Sequence, residues 1–284
     1  MKVFKLSLLV ASLTFIGCGG GSNDTITPSS HNTNEVKTVQ EAQKSLNAFS
    51  AFQSINLSVV NTSSASGSTN VANTKMLSKL QKTATAACDD GGSLTLDVSD
   101  DEKSATYTFA QCKNGSEYID GTMKLLQNDD TSYELTYDKL TYKGTSGEQY
   151  MDLTMKVVEE ASIYSMTMNG VINQTTTAGE INNMTITDFK IKGKDTSDES
   201  WTTIDGKMAF ETKCITGTYT FETVEKLVDA KDGSDNLESG ILKLNGATYT
   251  FENPNVTIEA GSESETILQS ELEKRMESAD SCDI

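Results

Sequence analysis

Ser93-Leu94-Thr95-Leu96-Asp97-Val98 and Ala105-Thr106-Tyr107-Thr108-Phe109-Ala110 each alternate apolar and polar side chains, and Ser99-Asp100-Asp101-Glu102-Lys103-Ser104 between them are turn formers. Alternation with a period of two puts one set of side chains on each face of a strand, so the stretch reads as an antiparallel hairpin. Cys88 and Cys112 flank it and are equidistant from position 100, inside the turn. Closing the hairpin sets them opposite each other. Facing residues of antiparallel strands have Cα atoms about 4.5–5.5 Å apart, which suits a disulfide between Cys88 and Cys112.

The same period continues downstream. Strands are expected near 119–127, 131–143, 147–159, 162–176, 180–193, 200–213, 215–225, 238–251 and 255–260. Asn128-Asp129-Asp130, Lys143 to Gly147, Ala178-Gly179 and Lys194 to Asp198 supply turns. Many of these runs exceed the usual length of about five or six residues, and short turns make each strand the neighbour of the next. A hydrophobic content of 36% suits a protein that buries one face of each strand. The expected fold is mainly β, a long-stranded antiparallel meander forming a curled sheet, half-barrel or barrel. Apolar residues spaced by three and four (Val36, Val39, Ala42, Leu46, Phe49, Phe52, Ile55) give an N-terminal helix. Thr74 to Ala87 is read as a short second helix and Glu265 to Ser278 as a C-terminal one, with Leu268, Leu272 and Met276 four apart.

Met1 to Lys5 carry two lysines, and Leu6 to Ile16 form an apolar run too short to span a bilayer as a helix, which needs roughly 20 residues. This is a secretory signal. Phe15-Ile16-Gly17-Cys18 resembles the lipobox of bacterial lipoproteins, although that family prefers leucine where Phe15 stands. The resemblance implies cleavage before Cys18 and a diacylglycerol on its sulfur, with the membrane as partner through this anchor. It also implies the outer membrane, facing the periplasm or the outside, because Gly19 and not aspartate follows the cysteine. Two or three acyl chains anchor a protein firmly. Residues to about Asn34 are Gly, Ser, Thr and Asn-rich, a flexible tether. The chain therefore divides into a signal peptide (1–17), lipidated cysteine and tether (18–34), helical segment with polar linker (35–87) and antiparallel β domain with C-terminal helix (88–284). With Cys18 acylated and Cys88 paired to Cys112, Cys214 joins Cys282 by elimination.

A formal charge of −18 argues against nucleic acid and anionic lipid surfaces, which need basic footprints. The single histidine, His31, sits in the tether, so Ser-His-Asp and Cys-His schemes and multi-histidine metal sites are not expected. No cofactor is expected and no catalysis, with hydrolysis by a pair of carboxylates kept as an outside alternative. Acidic pairs such as Asp100-Asp101 and Asp129-Asp130 fall in turns and read as solvated. Methionine fills irregular apolar space and lines promiscuous pockets. Tyr137, Met151, Met155, Met166, Met168, Met184, Phe189, Met208 and Phe210, with Ile191, are the candidate lining for a lipid or other apolar ligand. The arrangement looks like the curled-sheet carriers and receptors of the bacterial lipoprotein-sorting system, which implies helices over an apolar concavity. Cys88-x-x-Gly91-Gly92-Ser93 to Phe109-x-x-Cys112, followed by Gly121-Thr122, looks like a pattern of uncharacterised proteobacterial lipoproteins. Two functions are therefore expected in order: non-catalytic binding of an apolar ligand, and an envelope or surface interaction role with a solid core.

Overall fold

The computed structural model describes residues 35–46, 83–145, 147–212, 215–232, 234 and 236–279. Among the described residues the first element is α1 (Val39–Ser45), followed by β1 (Thr83–Ala87), β2 (Ser93–Val98), β3 (Ser104–Asn114), β4 (Glu117–Asp129) and β5 (Ser132–Gly144). Then come β6 (Gly147–Glu160), β7 (Ile163–Thr176), β8 (Ile181–Asp195), β9 (Ser200–Glu211) and β10 (Thr216–Asp229). β11 (Leu237–Leu244), β12 (Ala247–Glu252), β13 (Asn255–Ala260), β14 (Glu263–Leu268) and α2 (Gln269–Ala279) complete it. The fourteen strands form one antiparallel sheet in chain order, and the sheet is open, with β1 and β14 as its edges. Two compact units divide the described residues: those within 83–160 with 166–186, and those within 35–46 with 161–165 and 187–279.

Alternation accounts for which side chains are buried, and three interruptions of it mark bulges. In β3 the inward set Ala105, Tyr107, Phe109 gives way to Cys112; in β5 Leu135 and Tyr137 give way to Leu140; in β8 Ile186 gives way to Phe189. At each step one residue adopts the left-handed conformation: Gln111 (φ 52), Lys139 (φ 50) and Asp188 (φ 47). The register slips there between Phe109 and Cys112 and between Tyr137 and Leu140. An extra residue switches the following side chains to the other face, so the bulge returns Cys112, Leu140 and Phe189 to the buried side. Glycines face all three of these sites, and a Cβ on Gly92 (φ +79) would overlap the Gln111 carbonyl oxygen. A Cβ on Gly121 (φ +114) would lie 2.5 Å from the Lys139 carbonyl oxygen, and one on Gly206 (φ +127) 2.5 Å from the Phe189 Cα. Only glycine admits that backbone approach.

The C-terminal strands and the helices pack through a few long-range polar links. Tyr249 is fully buried, and its hydroxyl donates to the Ala42 carbonyl oxygen of α1 at 2.6 Å. Thr38 caps α1 in a box with Glu41. The Val39 amide donates to Glu263 Oε2 at 2.9 Å, and Gln43 donates to Glu265, which also receives Arg275 of α2. Val36, Val39, Ala42 and Leu46 are the buried stripe of this helical segment, as their spacing requires. The expected helix beyond residue 46 lies outside the described residues.

Three expectations need correction. Thr83–Ala87 is strand β1, paired with Ser93–Asp97, where a helix was expected. The run expected as one strand over 238–251 is two, β11 and β12, turned by Asn245-Gly246, both with positive φ. Residues 263–268 form β14 and not the start of the C-terminal helix, so Leu268 is 48% exposed while Leu272 and Met276 are buried.

Candidate functional site

Register arranges the apolar side chains of residues 93–160 in rows across five strands. Leu96 faces Tyr107, Tyr107 faces Met123, Met123 faces Tyr137 and Tyr137 faces Leu153. A parallel row runs Val98, Ala105, Leu125, Leu135 and Met155, and a third starts at Leu94 and Phe109 opposite Gly121. Side chains directly opposite across antiparallel strands are close enough to touch, so each row is a continuous apolar strip. Burial is graded along the strips. Met123, Leu125, Leu135, Tyr137 and Leu153 are buried, whereas Leu94, Leu96, Tyr107, Phe109 and Met155 are only partly buried. Leu96 and Tyr107 of this group pack against the Val98, Ala105 and Leu125 cluster and keep part of their surface accessible. Such surface favours contact with another apolar molecule at about 25 cal/mol per Å² removed from water.

The nine candidate lining residues divide between the two units. Tyr137, Met151, Met168 and Met184 are at most 1% exposed and belong to the packed interior of the first unit, while Met155 and Met166 are only partly buried. In the second unit Phe189, Met208 and Phe210 are at most 3% exposed, and Ile191 is 6% exposed. Phe189 meets Phe221 edge-on at 5.6 Å and Phe210 meets Tyr219 at 5.7 Å, so both rings are engaged in aromatic pairs. Alternation identifies the inward face but cannot grade burial along it. That is why Leu94, Leu96, Tyr107 and Phe109, the accessible end of the apolar rows, were missed, although they lie in the first hairpin.

Electrostatics around the sheet is that of solvated turns and buried phenols. Burial raises the Tyr107 and Tyr133 hydroxyls and pushes Tyr137 up to about 12. The acidic turns satisfy their own backbones: Asp101 is lowered by the Ser99 hydroxyl and then the Lys103 amide, Asp129 by the Thr131 amide and hydroxyl. Among the described residues no three His, Cys, Asp or Glu side chains are grouped to hold a metal ion. Trp201 is buried at the start of β9, and the Lys226 ammonium stands 3.9 Å over its ring, a cation–π contact.

Cys88 and Cys112 form a disulfide with Cα atoms 5.4 Å apart, joining the turn between β1 and β2 to the residue after the bulge at Gln111 in β3. Cys18, and the expected Cys214–Cys282 pair, lie outside the described residues. Comparison with protein-family models and with curated proteins finds no match to this chain.

Proposed function

We propose that the protein is a bacterial envelope lipoprotein, anchored at Cys18 in the outer membrane, that binds an apolar ligand without catalysis on the partly accessible end of its apolar rows. The observation that carries the reading is the accessibility of Leu94, Leu96, Tyr107, Phe109 and Met155 in strips otherwise packed shut. Isolated exposed apolar residues are ordinary, whereas contiguous ones mark an interaction surface. The lipobox-like Phe15-Ile16-Gly17-Cys18 supports the anchor, and the Cys88–Cys112 disulfide suits a chain matured outside the cytoplasm.

Native mass spectrometry of the full chain, expressed with export in a bacterium, tests both parts. The expected result is acyl mass on Cys18 and a second, non-covalent lipid-sized mass that is lost on denaturation. Phe109→Asp abolishes the second mass and leaves the first. A wild-type protein carrying the acyl group and no releasable mass overturns the ligand reading. The near-complete burial of Tyr137, Met151, Met168 and Met184 favours the second reading, a solid-cored interaction protein, in that outcome.

A further inference from the structure

The two edges of the sheet are finished differently, and the difference points to a partner. β14 carries Glu263 and Glu265, whose carboxylates bind α1 and Arg275, and α2 follows directly from it. Charge and covering helices are the usual protection of a strand edge. β1 has neither. Its sequence, Thr83-Ala84-Thr85-Ala86-Ala87, has no charge, proline or bulge, all five residues are exposed, and among the described residues β2 is its one strand neighbour.

We infer that β1 pairs antiparallel with β1 of a second copy of this chain, centred on Thr85. The register within the sheet favours a like strand over an arbitrary peptide. Thr85 faces Thr95, with the two hydroxyl oxygens 3.1 Å apart, Thr95 faces Thr108, and Thr108 faces Thr122. Centring on Thr85 sets that residue against its own symmetry mate and continues the threonine row into the partner. Thr83 then faces Ala87, and Ala84 faces Ala86. No charge meets a charge at the seam, which matters for a chain of net charge −18 that must approach a copy of itself. Ala84 and Ala86 lie opposite Leu96 and Leu94. The two-fold axis of such a pair is perpendicular to the sheet, so the partly buried Leu94 and Leu96 of both copies come to the same side. Five residues bury little area, so the dimer is weak and concentration-dependent. The inference stands whether or not the apolar rows carry a ligand.

The test is sedimentation equilibrium on the full chain with Cys18→Ser, so that no acyl group contributes to association. Wild-type β1 is expected to give a reversible monomer–dimer equilibrium. Thr85→Lys and Thr85→Glu each place like charges face to face and weaken the dimer about fivefold or more, with circular dichroism unchanged. Mixing the two variants restores association, because position 85 meets position 85. A wild-type chain that stays monomeric to its solubility limit overturns the inference. So does a dimer that ignores Thr85→Lys, or a mixture of the variants that fails to associate.

Discussion

Gly121 and Gly91 have nearly the same backbone conformation in different surroundings, and the pair separates two costs that usually come together. Their φ values are +114 and +117. A Cβ on Gly91 meets nothing within 4 Å, whereas one on Gly121 meets the Lys139 carbonyl oxygen at 2.5 Å and the Leu140 Cα at 2.8 Å. Gly91→Ala therefore carries conformational strain alone, about 1–2 kcal/mol. Gly121→Ala adds an overlap with backbone that cannot rotate away, a further 1–3 kcal/mol or so by analogy with overpacked cores. Both sit in the same unit, so urea unfolding followed by far-ultraviolet circular dichroism compares them fairly. The expected result is a lower midpoint for Gly121→Ala at unchanged slope, with faster amide exchange in β4 and β5. Lys139→Gly, which relieves a left-handed residue at φ 50, should be neutral or stabilising by up to about 1 kcal/mol. Equal costs for the two alanine variants would refute the view that the glycine accommodates the bulge.

Tyr249→Phe removes the donor to the Ala42 carbonyl oxygen and should cost about 1–3 kcal/mol, with hydrogen exchange rising in α1 before it rises in β12. Tyr137, pushed by burial from 10.0 to about 12, favours the neutral phenol in the folded state. Its contribution is fully present below pH 10 and falls by up to roughly 3 kcal/mol as pH rises toward 12. Tyr137→Phe should flatten that limb of a stability–pH curve, and an unchanged limb would count against the burial argument. Gln149 is 7% exposed and among the described residues its Nε2 lacks a hydrogen-bond partner, so Gln149→Met should raise the unfolding free energy by about 1 kcal/mol. Serine at both Cys88 and Cys112 opens a loop of sequence separation 24 and should cost about 3 kcal/mol in chemical denaturation.

Long strands were legible because period-two alternation and turn residues are local signals, and β3 to β10 bear both. Strand β1 was not, because Thr83-Ala84-Thr85-Ala86-Ala87 contains nothing to bury and its alanines suit a helix as well. Its structure comes from pairing with Ser93 to Asp97, which propensity cannot see. Asn245-Gly246 is a strong hairpin signal, and the buried positions change phase across it, from Leu242 and Leu244 to Ala247, Tyr249 and Phe251, yet the expected strand ran through it. The bulges at Gln111, Lys139 and Asp188 left a trace, since the apolar positions change phase there, but a phase change also reads as a strand end. At the candidate site, seven of the nine methionine and aromatic residues are buried. What divides packed Met151 from partly buried Met155, only four residues on, is the burial around each position and not the strand's own pattern.

A sheet whose strands bond only in chain order also has a timetable. Each hairpin can close as soon as its second strand is available, so no β-strand waits for a distant partner and loop-closure entropy stays small at every step. Growth can proceed from either end, as in a one-dimensional array. The N-terminal helix is the exception. Val39 and its acceptor Glu263 are 224 residues apart, so α1, close behind the expected tether, has to wait until almost the whole chain has arrived. The last described contact to form is then the one that joins the beginning of the domain to its end.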